Sequence, residues 1–195
     1  MNFLAHIYLS NDEPEIMVGN FIGDFVKGRN FAEHYDHNIA RGIELHRMID
    51  EFTDRHAMVG KSKEKLRPKY RHYAAVIVDI FYDHFLANLW ENYHVTPLKE
   101  YARNTYQTLQ EYRSSLPDEV KHMLPYMMKE NWLVNYGTLS GIGQALNGIS
   151  RRTRYDSKMN ESVDELKEFY GEFKEEFQTF IPDLKLYTER FLKSK

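Results

Sequence analysis

The apolar residues of this chain recur at helical spacing along almost its whole length, and this period constrains the fold more than any other feature. The clearest case is 160–181, where apolar residues lie three and four apart with Glu and Lys between them. They are Val163, Leu166, Phe169, Phe173, Phe177 and Phe180. Such spacing forms one apolar stripe on an α-helix. No convincing series of alternating strands appears, so the sequence predicts an all-α, single-domain helical bundle over residues 1–195.

Three further helices are predicted in the first half of the chain. One runs from Pro14 toward Gly23, with Asp12 as its expected N-cap. The second covers about 37–55. The third covers about 70–93, is nearly apolar over AAVIVDIF at 74–81, and is therefore expected to be buried. Prolines are expected to separate helices in the middle of the chain and to break or kink the helix at 160–181: Pro97, Pro117, Pro125 and Pro182.

Composition excludes several classes of site. Hydrophobic residues make up 42% of the chain, with 14 Tyr and 12 Phe, which is enough to fill a core. A net charge of −3 argues against a general nucleic-acid binder. The chain has no cysteine, so disulfide partners, zinc–thiolate sites and iron–sulfur clusters are excluded. No signal peptide and no stretch of ~18 apolar residues is evident. We expect a cytoplasmic protein without a membrane partner.

Two clusters of His and Asp residues are the candidates for a catalytic or metal-binding site. His46 and Asp50 stand four apart on a predicted helix, so they share one face. Asp79 and Asp83 repeat that spacing, and His84 follows directly. Asp79 lies in an apolar run, where a carboxylate is costly unless it is paired or bound to a metal. A surface ion pair is the commoner meaning of a single His–Asp pair, but the clusters together favour a metal site.

The remaining candidates flank these clusters. Asp24 follows a predicted helix and offers another carboxylate, His6 lies in the apolar opening NFLAHIYL, and Arg47 is able to clamp a phosphate oxygen or to pair with Glu51. Arg151 and Arg152 follow a glycine-containing segment suited to phosphate binding. A basic run at 61–71 is either a solvated loop or a docking patch for an acidic partner. Its basic residues are Lys61, Lys63, Lys65, Arg67, Lys69 and Arg71.

At these residues the chain resembles the bacterial acyl carrier protein phosphodiesterases. The matching stretches cover most of the chain: MNFLAH at 1–6, GNFIGDFVKG at 19–28, HRMID at 46–50 with Thr53 and Asp54, DHFLANLW at 83–90, ENWLVNY at 130–136 and ALNGISRR at 145–152. That family is related to the HD-domain metal-dependent phosphohydrolases. The resemblance therefore implies an HD-domain-like helical fold, although the doublet at 83–84 has the reverse order, Asp before His.

The resemblance also implies a reaction. The enzyme would hydrolyse the phosphodiester between 4′-phosphopantetheine and a serine of holo-acyl carrier protein, with Mn²⁺ as the favoured ion and Mg²⁺ or Fe²⁺ as alternatives. Acyl carrier proteins are acidic, which suits the basic run at 61–71. On this hypothesis the metal ligands or their partners are Asp24, His46, Asp50, Asp79, Asp83 and His84. Arg47, Arg151 and Arg152 would stabilise phosphate charge, and His6 would donate a proton to the serine oxygen.

Two other functions remain open at this stage. One is an HD-type hydrolase of nucleotides or other small phosphate esters, which would need no protein partner. The other is a helical module that binds an acidic protein, with the His and Asp pairs serving only structural roles.

Overall fold

The structure is a computed structural model that describes residues 1–194. Those residues form α-helices joined by turns, 3₁₀ helices and two longer loops, and contain no strand, which confirms the all-α prediction. The helices are α1 (Phe3–Tyr8), α2 (Pro14–Ile22), α3 (His37–Arg55), α4 (Ala57–Tyr70), α5 (Ala74–Asn88), α6 (Leu98–Glu111), α7 (Asp118–Lys129), α8 (Trp132–Asn135), α9 (Leu139–Ser150), α10 (Val163–Glu168) and α11 (Tyr170–Lys193). Within residues 1–194, no helix has both the length and the apolar character needed to cross a membrane.

Helix α5 forms the centre of the core. It contacts α1, α4, α9 and α11, and most of its side chains are buried. Aromatic rings pack α11 against α5. The Phe81 and Phe173 rings meet edge to face with centroids 5.2 Å apart, and the Tyr82 and Phe177 rings do so at 5.6 Å. The apolar run at 74–81 is thus explained by burial, as the sequence predicts.

Helices α2 and α3 approach each other more closely than ordinary side chains allow. A Cβ atom added to Gly19 would lie 2.0 Å from the carbonyl oxygen of Ile39, and one added to Gly42 would lie 2.2 Å from that of Ile16. Glycine is therefore required at both positions. The close packing brings the end of α2 against the His46 face of α3, which is where the candidate site forms.

The bounds of α2 and α3 confirm the two helices predicted there. The predicted N-cap of α2 is wrong. Asp12 has a φ of 57° and stands outside the helix, and the N-cap position belongs to Glu13, whose side chain makes no capping hydrogen bond. A left-handed backbone at Asp12 is a turn conformation that Asp tolerates, so the residue serves the turn before the helix.

The predicted helix at 70–93 is shorter than expected. Helix α5 begins at Ala74, after a 3₁₀ turn at Arg71–Tyr73, and ends at Asn88. Arg71 has a φ of 51°, which ends α4 and reverses the chain. The basic run at 61–71 is consequently not a loop, since nearly all of it lies in α4.

Two of the prolines that were expected to separate or break helices lie inside helices instead. Pro125 belongs to α7 and Pro182 to α11, which continues to Lys193. The helix predicted at 160–181 is instead two helices, α10 and α11, with the break at Phe169 rather than at Pro182. Buried side chains on both sides of Pro182, including Phe180 and Leu184, hold this helix together, because tertiary packing outweighs the loss of one backbone hydrogen bond.

Candidate active site

His46 lies at the centre of the site, on the buried face of α3. Its Nδ1 lies 2.8 Å from the backbone oxygen of Asn20, so Nδ1 carries a proton and donates it to that carbonyl. Its Nε2 points the other way, 3.2 Å from Asp50 Oδ2 and 3.2 Å from Asp24 Oδ1. The predicted one-turn spacing of His46 and Asp50 thus brings their polar atoms together.

Gly23 makes room for the His46 ring. A Cβ atom at that position would lie 2.2 Å from Cγ of His46, so no other residue fits without displacing the imidazole. Gly23 begins a 3₁₀ turn that ends at Phe25 and carries Asp24. The turn therefore contributes to the site in two ways. Gly23 leaves room for the His46 ring, and Asp24 directs a carboxylate toward it.

His6 reaches the same place from α1. Its ring stacks on that of His46 with centroids 4.0 Å apart and planes inclined by 18°. Its Nδ1 lies 2.8 Å from Oδ1 of Asn20. The amide of Asn20 donates to the His6 carbonyl and to Ser10 Oγ, which fixes Oδ1 as the atom facing the ring. His6 Nδ1 is consequently the donor, and Nε2 lies 3.3 Å from Asp50 Oδ1.

This arrangement needs a cation between the rings and the carboxylates. With both Nδ1 atoms protonated, the Nε2 of each neutral imidazole faces only oxygen atoms. His6 Nε2 lies 3.2 Å from the backbone oxygen of Met1 and 3.3 Å from Asp50, and His46 Nε2 lies 3.2 Å from both Asp24 and Asp50. A proton or a metal ion removes the repulsion between these lone pairs. Ligand atoms of His6, His46 and Asp50 all lie within 4.8 Å of one another, which suits a single divalent ion. Both histidines donate Nδ1–H to an oxygen, as metal-binding histidines generally do.

The pKa shifts describe how protons fill the site when no metal is bound. Burial lowers the pKa of His6, and the neighbouring His46 lowers it further. Burial disfavours charge on His46 as well, but the carboxylates of Asp24 and Asp50 raise its pKa to about 9. The hydrogen bond from His46 lowers the pKa of Asp24, and contact with both rings holds the pKa of Asp50 far below its usual range despite burial. One imidazolium thus lies between two carboxylates.

The site lies on the wall of an open cleft with a volume of about 420 Å³. Asp24, Asp50, Asp79 and Arg152 line this cleft. Thr53 also lines it, and its buried hydroxyl has no hydrogen-bond partner within residues 1–194. Buried polar groups are normally paired, so a free hydroxyl in a polar cleft indicates a place for water or a ligand.

The residues of the second predicted cluster, Asp79, Asp83 and His84, lie in different environments. Asp79 reaches the cleft and accepts a hydrogen bond of 2.9 Å from the amino group of Met1. Asp83 is fully buried and accepts the backbone N–H of Leu4 at 2.8 Å, with longer bonds from Asn2 and Ala5. These are the orphan donors at the start of α1. Asp83 therefore anchors the helix that carries His6.

His84 faces another part of the molecule. Its Nδ1 donates to the backbone oxygen of Tyr136 at 2.8 Å, and its Nε2 accepts from the hydroxyl of Tyr170 at 3.1 Å. Both ring nitrogens are thus occupied by protein groups. Among residues 1–194, the group with metal-binding geometry is His6, His46 and Asp50, and it includes neither His84 nor Asp83.

The predicted phosphate-binding arginines differ in position. The guanidinium of Arg47 donates to the carbonyls of Val26 and Gly28 at 3.1 and 2.7 Å and lies over the Phe31 ring. It therefore holds the loop that follows Asp24. Arg152 lines the cleft, whereas the lining of the cleft does not include Arg151.

Half of the basic run is neutralised within the protein. Lys63 pairs with Asp54, Lys65 with Glu172 and Glu176, and Lys69 with Glu161 and Glu165. The other three basic residues are exposed, and no carboxylate of residues 1–194 lies within ion-pair distance of them: Lys61, Arg67 and Arg71.

The roles of Gly23, Asn20 and the start of α1 cannot be predicted from the sequence patterns. The pattern GNFIGD at 19–24 contains the first two, but the spacing of glycines does not show which side chain they accommodate. Asn20 fixes both histidine rings, one through its backbone and one through its amide. That role becomes visible only when α1, α2 and α3 are placed together.

The fold and the site define an all-helical protein with a candidate divalent-metal centre, built from imidazole and carboxylate groups, in an open cleft. The family model for acyl carrier protein phosphodiesterase matches residues 1–184. Together with the relatives below, this match shows that the chain belongs to the acyl carrier protein phosphodiesterase family and confirms the resemblance seen in the motifs.

Proteins named acyl carrier protein phosphodiesterase match along nearly their whole length. The one from Klebsiella pneumoniae (strain 342) is 34% identical over 186 residues, covering 94% of this chain and 95% of the relative. That from Escherichia coli O157:H7 is 33% identical over 198 residues, covering 97% and 98%. That from Photorhabdus laumondii is 30% identical over 183 residues, covering 93% and 92%. No solved structure matches the chain, so the HD-domain-like fold stays a prediction.

Proposed function

We propose that this protein is a metal-dependent phosphodiesterase that releases 4′-phosphopantetheine from holo-acyl carrier protein. The observation that carries the proposal is the pair of stacked histidines that share Asp50 on the wall of an open cleft, in a chain that belongs to this family. Hydrolysis breaks the bond between phosphorus and the serine oxygen. The hydroxyl of water joins phosphorus, and the serine oxygen receives a proton.

The residues that would hold the metal are His6, His46 and Asp50, with Asp24 as a further carboxylate. Mixed imidazole and carboxylate ligands suit Mn²⁺, which we favour, and Fe²⁺; Mg²⁺ prefers sites richer in oxygen. A bound divalent ion would acidify a water molecule and neutralise phosphate charge. The neutral state of His6 at pH 7 suits a ligand better than the proton donor expected from the sequence, because burial and His46 lower its pKa.

The other residues would bind substrate or keep the ligands in place. Arg152 lies in the cleft and offers a guanidinium to the phosphate. Arg47 holds the loop after Asp24 through two carbonyls. Asp83 anchors the start of α1 and thus the position of His6. None of these three roles requires contact with the metal.

Carrier-protein docking would use the unpaired half of the basic run. Lys61, Arg67 and Arg71 are exposed and are free to meet carboxylates of an acidic partner. Lys63, Lys65 and Lys69 already have internal partners, so reversing their charge would also disturb the fold. We therefore propose Lys61→Glu, Arg67→Glu and Arg71→Glu as the docking variants.

The proposal is tested by mass spectrometry of holo-carrier protein after incubation with this enzyme. We expect conversion to the apo form together with free 4′-phosphopantetheine, loss of conversion with a chelator, and recovery with Mn²⁺. Asp50→Asn is the matched variant, because it keeps the size of the side chain and removes its charge. A carrier protein that stays in the holo form at every metal concentration contradicts the proposal.

Hydrolysis of nucleotides or other small phosphate esters is the alternative reaction. The charge reversals at Lys61, Arg67 and Arg71 separate the two. They should weaken turnover of holo-carrier protein and spare that of a small phosphodiester. Equal turnover of carrier protein by the reversed variant and the natural protein would contradict docking at this surface. If Mn²⁺ neither binds nor shifts the melting temperature, a non-enzymatic binder is favoured instead.

A further inference from the structure

A second cavity adjoins the candidate site, and we call it the slot. It has a volume of about 110 Å³, and its walls include Phe3, Trp132, Tyr136, Ala145 and Ile149. Five residues line both the slot and the acidic cleft: Asn2, Phe3, Ile80, Ile149 and Arg152. The slot and the cleft are therefore adjacent, and Arg152 lies at the wall of both.

The two cavities differ in chemistry. Asp24, Asp50 and Asp79 line the cleft, whereas no carboxylate lines the slot within residues 1–194. The slot combines aromatic and aliphatic walls with three carboxamide side chains, those of Asn2, Asn135 and Gln144. Such a lining suits an uncharged chain that has both apolar groups and amides.

We infer that the slot binds the part of the pantetheine arm next to the phosphate, an inference that rests on the proposed function. That part carries a quaternary carbon with two methyl groups, then a hydroxyl and an amide. Its bulk is compatible with a cavity of about 110 Å³, and the remainder of the arm would extend outward. The methyl groups would meet the aromatic wall, and the amide would meet the carboxamides.

The same lining disfavours a nucleotide. The group next to the phosphate of a nucleotide is a ribose, which carries more hydroxyls than the arm and has no methyl groups to meet Phe3, Ile80 and Ile149. The slot thus provides a physical reason for this site to prefer an alkyl phosphate that carries an amide.

Gly148 offers a way to fill the slot without disturbing the core. It lines the slot from α9, and a Cβ atom added there would meet no heavy atom within 4 Å. Gly148→Leu should therefore fold and occupy the space of the two methyl groups. Gly171→Leu is the matched control, because Gly171 also lies in a helix, also has open space at Cβ and does not line the slot.

Trp132 allows binding to be measured separately from catalysis. The chain has two tryptophans, and Trp132 is the one that lines the slot. We expect added 4′-phosphopantetheine to change the tryptophan fluorescence of the natural protein and of Gly171→Leu. The change should be absent in Trp132→Phe and weakened in Gly148→Leu. Loss of contact with two methyl groups predicts about tenfold weaker binding. An equal response in Gly148→Leu and the natural protein would overturn the inference.

Turnover distinguishes this inference from the proposed function. Gly148→Leu should raise KM for holo-carrier protein about tenfold, whereas Gly171→Leu should leave KM unchanged. If the natural protein releases no phosphopantetheine yet Trp132 still reports its binding, the proposed reaction fails and the slot is supported. If release is normal in Gly148→Leu and fluorescence reports no binding in the natural protein, the reaction stands and the slot is refuted.

Discussion

Binding of Mn²⁺ should expel one proton from His46. The pKa of this imidazole is raised to about 9 by Asp24 and Asp50 against the effect of burial, so only about 1% of it is neutral at pH 7. A metal needs the neutral ring. The apparent affinity for Mn²⁺ should therefore rise about tenfold per pH unit up to pH 9. The loss at pH 7 relative to a fully neutral ring is about a hundredfold, or roughly 2.7 kcal/mol.

Isothermal titration calorimetry in buffers of different ionisation enthalpy counts this proton. At pH 7 we expect about one proton released per Mn²⁺ bound, with His46 as its source and none from His6, whose pKa is lowered. Asp24→Asn is the matched variant. It removes one of the two carboxylates that raise the pKa of His46, so it should release a smaller fraction of a proton and show a shallower dependence of affinity on pH.

Mn²⁺ binding that releases no proton at pH 7, with the same affinity at pH 7 and pH 8.5, would refute this prediction. Such a result would mean that His46 is already neutral or that the ion binds elsewhere in the cleft.

The remaining predictions concern stability and the separation of the two clusters. Asp83→Ala leaves buried backbone donors of α1 unpaired and should lower the free energy of unfolding by about 3 kcal/mol in urea denaturation; an unchanged midpoint would contradict the anchoring role. Gly23→Ala should displace His46 and abolish Mn²⁺ binding measured by calorimetry, whereas Gly60→Ala, whose Cβ meets nothing within 4 Å, should bind normally. His84→Gln should lower the melting temperature and leave Mn²⁺ affinity unchanged, and weaker binding would return His84 to the ligand set. The melting temperature of the metal-free protein should fall as the pH rises from 6.5 through 9, because the raised pKa of His46 means that the folded state binds a proton the unfolded state has lost; a constant value over that range would show that His46 is not the titrating group.

Helix periodicity predicted the fold class and α3, which buries one regular face. The bounds of α2 followed from Pro14 and Gly23 instead, because this helix is buried on nearly all sides. Periodicity failed where local signals compete with tertiary contacts. Pro182 is expected to break a helix, but α11 continues past it because this helix packs against α5. The charge of the basic run at 61–71 is compatible with a solvated loop. The run is helical because Leu66 and Tyr70 are buried, and Lys65 and Lys69 also pair with the segment 161–176.

The candidate site was predictable in part. The spacing of His46 and Asp50 is a local property of one helix, so the sequence alone brings them together. The same spacing at Asp79 and Asp83 predicts a second half of the site, but the fold uses Asp83 to hold the start of α1. The position of His6 over His46 depends on how α1 packs against α2 and α3, and no periodicity in the sequence encodes that contact.

We expect one divalent ion to bind between the two stacked histidines and Asp50. Anomalous scattering from a crystal of this protein grown with Mn²⁺ would locate the ion. We expect a single anomalous peak within bonding distance of Nε2 of His6, Nε2 of His46 and a carboxylate oxygen of Asp50. A peak at Asp83 and His84, or a fully soaked crystal with no peak in the cleft, would contradict it.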